Sequence, residues 1–245
     1  MTGSERRRGR RGREGAPAVG GFTLIELVIV LAVVATLTLV LLPIGLNALK
    51  DADLARANGD IEGLAMSLTA FVADLGRMPA CDVNDCSSLV RGGPEQNNGL
   101  RFLAVGEGRG SLVDRYPPES GALTVRWSLA ERDHQTNRAV NNAANHLAVN
   151  DPNVDDLTTG LDYPRTGRSR WRGPYVRGLT LDPWGNAYIA SVGAMEKGGS
   201  PIVAGAKGWI LSAGPNGVLE TAPDATALGG DDLGTIVFDA STYGP

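Results

Sequence analysis

Gly20-Gly21-Phe22-Thr23-Leu24-Ile25-Glu26-Leu27 joins an arginine-rich start to a long apolar run, and its reading decides how the 245-residue chain is organised. From Phe22 to Leu42 the only charged residue is Glu26. A helix of about 20 apolar residues crosses a bilayer, so the run is long enough. A carboxylate inside it costs roughly 3 kcal/mol at the membrane centre and less near the interface, and Glu26 therefore needs a partner or a use. The first 21 residues carry six arginines against two glutamates, a charge of +4, so the whole-chain charge of −4 leaves −8 for the remainder. A basic block ahead of an apolar run holds that end of a chain in the cytoplasm. A secretory signal would have a shorter apolar core followed by small residues at a cleavage site, whereas Leu41-Leu42-Pro43 follows here.

Beyond the run, Pro43 and Gly45 predict a kink rather than an end, because the apolar pattern resumes. Leu54, Ile61, Leu68 and Leu75 recur every seven residues, with Ala57, Leu64 and Phe71 between them. That spacing predicts one long helix from about Phe22 to Leu75, its first half in lipid and its second half under a domain. Gly76-Arg77-Met78-Pro79 supplies the stop. From Ala80 to Arg172 the chain is rich in Asn, Asp, Gly and Arg. A short helix is expected near Glu131 to Leu147, and a strand around Thr124 to Trp127. After Gly173 the pattern sharpens. Asp182-Pro183-Trp184-Gly185-Asn186 predicts a tight turn leading into a strand at Tyr188 and Ile189. Gly208 to Ser212 and Gly234 to Phe238 read as further strands, making the C-terminal third a small antiparallel sheet.

Gly21-Phe22-Thr23-Leu24-Ile25-Glu26 resembles the processing site of type IV prepilins and of the pseudopilins of type II secretion. The resemblance implies cleavage after Gly21 by prepilin peptidase, N-methylation of Phe22, and a Glu26 that neutralises the new amino terminus of a neighbouring subunit. Gly173-Pro174-Tyr175, Asp182 to Asn186 and the glycine- and aspartate-rich end are similar to the major pseudopilin of type II secretion. The match covers both ends and leaves about Ala80 to Arg172 unmatched, longer than a minimal major subunit. In the family the final loop binds calcium. Carried over by position, the ligands would be the Leu211 carbonyl, Ser212, Asn216, Asp231 and Asp232, where Asn216 is neutral and the family pattern has an aspartate. Clustered oxygens suit that hard cation; two solvated aspartates in an ordinary turn are the alternative.

Other constellations carry less chemistry. Cys81 and Cys86 would lie outside the membrane, where an oxidising compartment favours a short-loop disulfide; two free thiols are the alternative. Arg165, Arg168, Arg170 and Arg172, interleaved with Tyr163, Trp171 and Tyr175, form a basic aromatic patch of the kind that holds single-stranded nucleic acid. A surface loop, or a contact to an acidic subunit, is the expectation preferred. His134 and His146 are the only histidines and are read as solvated. Gly106 to Ser111 lacks the lysine of a phosphate-binding loop. No catalytic fingerprint stands out, so the chain is read as a non-enzyme.

Taken together, an α+β, pilin-like chain is expected: a leader over 1–21, a transmembrane helix over 22–42, an amphipathic continuation over 43–79, a variable region over 80–172 and a sheet over 173–245. The resemblance implies a homo-oligomeric filament of a type II secretion system, assembled from the bacterial inner membrane with the C-terminal domain in the periplasm. It also implies an assembly platform, its ATPase and minor pseudopilins as partners. A type IV pilin or minor pilin for adhesion, motility or DNA uptake is the alternative.

Overall fold

In the computed structural model, the residues described are 21–76, 79, 102–105, 115–125, 127, 142–152, 162–192 and 207–238. The chain divides into two compact units, with the boundary between Leu49 and Lys50. Helix α1 spans Leu24–Leu75 and remains helical through Pro43. Its apolar part, up to Leu49, buries nothing: Leu27 is 55% exposed, Leu31 57% and Leu42 60%. By length and composition α1 is able to cross a membrane.

The second unit carries a four-stranded antiparallel sheet, ordered β1 (Phe102–Ala104), β2 (Ile189–Ser191), β3 (Gly208–Ser212) and β4 (Leu233–Phe238). Side chains alternate across a strand, and here both faces are covered. Leu103, Tyr188 and Ile210 join one core with Ile61, Leu64, Leu68, Phe71 and Leu75 of α1. Phe102, Ile189, Trp209 and Leu211 join a second with Trp127, Ala187 and Leu219. Of the helical stripe read from the sequence, Ala57, Ile61, Leu64, Leu68, Phe71 and Leu75 are buried in α1, joined by Ser67, whereas Leu54 is only half-buried. Ser67 Oγ donates to the carbonyls of Gly63 at 2.7 Å and Tyr175 at 3.0 Å, so a polar residue is tolerated there.

Polar clamps fasten this half of α1. Tyr188 Oη donates to Asp60 Oδ2 at 2.9 Å, Tyr175 Oη to Asp74 Oδ2 at 3.1 Å, and Arg56 reaches Thr180 and the Leu181 carbonyl at 3.2 Å. Burial raises the pKa of both tyrosines, with the carboxylate each one faces adding to the rise. Phe71 meets the rings of Tyr163 and Tyr175 edge-on at 5.0 and 5.5 Å. Gly76 ends the helix with φ 71° and its N–H on the Val72 carbonyl at 2.7 Å, a conformation glycine adopts without strain.

Three expectations are corrected. Of the strand expected over Thr124 to Trp127, Thr124 and Val125 form a bend, and Trp127 N–H is taken by Glu119 Oε2 at 2.9 Å instead of a ladder partner; Arg126 lies outside the described residues. The sheet is not confined to the C-terminal third, since β1 pairs with β2. His146 is fully buried rather than solvated: it lies in α2 (Ala143–Leu147), with Nδ1 2.7 Å from Tyr163 Oη. Cys81, Cys86, His134 and Gly106 to Ser111 lie outside the described residues.

Truncating Phe71 removes a side chain wedged between two rings and the sheet. Phe71→Ala is expected to lower unfolding stability by about 3–5 kcal/mol, measured by denaturant titration of the detergent-solubilised chain. A loss below about 1 kcal/mol would show that this core is not the one holding the unit together.

Candidate functional site

Two places bring chemically loaded residues together. At the start of α1, Gly21 and Phe22 are exposed and lie outside any helix or strand, and Thr23 precedes the first helical residue. Thr23 N–H and Oγ1 both donate to Glu26 Oε2, at 2.8 and 2.7 Å, while Glu26 N–H donates back to Thr23 Oγ1 at 3.3 Å. This is a reciprocal capping box, which satisfies amide donors that a helix start leaves open. It also explains how an acid is accommodated in an apolar helix: the carboxylate sits at the positive end of the helix dipole and is solvated by its own chain. Thr23 was missed from the sequence, although Thr-x-x-Glu is the pattern that would have found it.

The second place is the loop cluster behind β3 and β4. Asp182, buried, accepts from the N–H groups of Trp184 and Asn186 at 3.1 and 2.7 Å through one oxygen. Its other oxygen accepts from Ser212 Oγ at 2.7 Å. One carboxylate thereby fixes the predicted turn and ties it to the end of β3. Ser212 Oγ also accepts from Gly214 N–H at 3.2 Å, so its hydroxyl is committed. Gly214 has φ 64°, and a Cβ there would collide with the Asp231 carbonyl, so only glycine lets the two loop arms close.

Within that closure Asp231 Oδ2 accepts from Asn216 N–H at 2.9 Å, and Asn216 Oδ1 from Val218 N–H at 2.6 Å. Asp232 Oδ2 accepts from the N–H groups of Glu220 and Thr221 at 2.9 and 2.6 Å. Glu220 Oε2 accepts from Asn216 Nδ2 at 3.0 Å and faces Asp231 N–H at 3.4 Å. The remaining oxygens, Asp231 Oδ1 and Asp232 Oδ1, are buried with no hydrogen-bond partner. Two unsatisfied carboxylate oxygens are costly, and they fit a cation. Among the described residues no group of three or more Asp, Glu, His or Cys is arranged to hold a metal by side chains alone. A site here would therefore complete its shell with backbone oxygens, as calcium sites do. Of the residues named from the sequence, Asp231 and Asp232 have oxygens to give; Ser212 and Asn216 are engaged internally, and Leu211 lies in β3 opposite Gly234.

The basic aromatic residues are partly used. Arg165 stands 5.9 Å from the centre of the Trp171 ring, and Arg172 pairs with Asp74 at 3.2 Å. Arg168 and Arg170 are exposed. No protein-family model, curated protein or solved structure matches this chain.

Burial raises the pKa of the Asp232 carboxyl, and the nearby Glu220 charge adds to this against the hydrogen bonds from Thr221 and Glu220 that pull it down. A raised carboxyl pKa gives stability that is complete below the unfolded pKa and lost as pH rises through the folded one. In chelator, the wild-type melting temperature is expected to rise as pH falls through that window, and Asp232→Asn to remove this part of the rise. Parallel wild-type and variant curves would refute it.

Proposed function

We propose that this chain is a pseudopilin-type filament subunit of a type II protein secretion system. It is cut after Gly21 by prepilin peptidase, N-methylated on Phe22, and drawn from the inner membrane into a filament by a platform and its ATPase, with minor pseudopilins as companions. The observation that carries the reading is the junction at Thr23 and Glu26: one acid, held at the first turn of a helix whose apolar half buries nothing. Acyl chains cover that half in a bilayer. Once the subunit leaves the bilayer, the hydrophobic effect requires that copies of the same helix take the lipid's place. Glu26 then meets an ammonium made by cleavage. A carboxylate and an ammonium in a poorly screened bundle attract strongly, whereas either alone is expensive, and so the pair sets register.

Calcium belongs to the same reading. Asp231 and Asp232 would hold it, with backbone oxygens of the loop, and its charge would relieve two buried carboxylate oxygens that have no other partner. Bound calcium would fasten the two loop arms that end the sheet.

Two outcomes follow. Loss of the protein from its own bacterium should leave folded exoproteins trapped in the periplasm with surface pili intact; loss of pili with export unimpaired would replace the reading by a type IV pilin. Calcium at 100-fold over its Kd should stabilise the wild type by about 2.7 kcal/mol and leave Asp231→Asn/Asp232→Asn unchanged. A wild-type melting curve that ignores calcium would remove the cation from the account.

A further inference from the structure

The loop that follows Tyr163 holds its arginines at one end of α1. Arg172 pairs with Asp74 at 3.2 Å, and Ser169 Oγ comes within 4.0 Å of where a Cβ on Gly76 would stand. Arg165 is occupied by the Trp171 ring. Arg168 and Arg170, on either side of Ser169, are exposed and have no ion-pair or hydrogen-bond partner among the described residues. Two guanidinium groups thus stand beside the end of α1 with nothing among the described residues to neutralise them.

Complementary charges lie at the other end of the same half-helix. Asp51 and Glu62 are exposed and likewise have no partner among the described residues. Eleven residues are about three turns, so these two acids share a face. Ala55, Asn58 and Thr69 continue that face, exposed and without a cation. Asp74, which marks the position of the arginine loop, is roughly 18 Å along the axis from Glu62, about 35 Å from Asp51, and about a third of a turn round it. Within one subunit the loop and the acids therefore cannot pair.

We propose that the Arg168–Arg170 loop of one subunit docks on the Asp51–Glu62 face of a second copy, displaced along the helix axis. The contact joins two different patches. A repeated contact of that kind, with an axial step and a rotation that does not close, builds an open helical array rather than a two-fold dimer. It rests on the filament reading and adds to it a soluble-side contact that sets axial spacing, separate from the pairing at Glu26. Surface charges are screened within about 8 Å at physiological salt, so the contact works at short range and weakens as salt rises.

The test uses the full chain in cells that carry its prepilin peptidase and assembly machinery, and reads the fraction that sediments as multimers after mild solubilisation. Arg168→Glu/Arg170→Glu and Asp51→Lys/Glu62→Lys should each reduce that fraction about tenfold, like charges opposed across an interface being repulsive. The combined fourfold variant should restore most of it. All four positions are exposed, and unchanged melting temperatures confirm folding. If either reversal leaves assembly at the wild-type level, or the combination rescues nothing, the contact is overturned and the filament reading stands. If the arginine reversal alone abolishes retention of single-stranded DNA, with no rescue, the loop serves nucleic acid instead. A wild type that never sediments, with its leader removed, overturns both.

Discussion

Ile61, Leu64, Leu68, Phe71 and Leu75 project from one side of α1 onto a sheet of short strands, and the rest of the second unit depends on that contact. Strands of three residues make few ladder bonds, so they hold their places only when side chains on both faces are packed. α1 closes one face, and the loops around Trp127 and Leu219 close the other. The tyrosine clamps to Asp60 and Asp74 then fix the rotation of the helix, because each hydroxyl donates to a carboxylate on one face of it. The apolar half of α1 obeys the same burial rule with no partner among the described residues.

Both acidic sites follow a common electrostatic logic. A carboxylate away from bulk water is stabilised by N–H groups whose positions the backbone already fixes, at little reorganisation cost. Glu26 is held by Thr23, Asp182 by its own turn, and Asp232 by Glu220 and Thr221. The difference lies in what remains. Both oxygens of Asp182 have partners, whereas Asp231 and Asp232 each keep one that has none. That asymmetry separates a carboxylate that builds a turn from a pair that fits a cation.

Much of this was legible in the chain, for reasons of scale. The long helix, its stop at Gly76, β3, β4 and the Asp182 turn depend on residues within a few positions of one another. β1 did not stand out, because three apolar residues become a strand only when Ile189 to Ser191 lies alongside them. His146 misled because an Asn-rich stretch looks solvated. Its asparagines instead spend their amides internally, Asn142 capping α2 and Asn150 pairing both ways with the Tyr163 backbone. Glu220 and Asp182 were overlooked as parts of the acidic cluster, since only the fold brings them to Asp231 and Ser212.

The filament account stands or falls on the new amino terminus, because Glu26 has a charge to neutralise only after the chain is cut. Intact mass and amino-terminal sequencing of the protein, extracted from membranes that carry its prepilin peptidase, measure this directly. A chain beginning at N-methylated Phe22 is the predicted result. An uncut leader, or a cut beyond Leu42, would contradict the account and leave a membrane-anchored or secreted domain with another purpose.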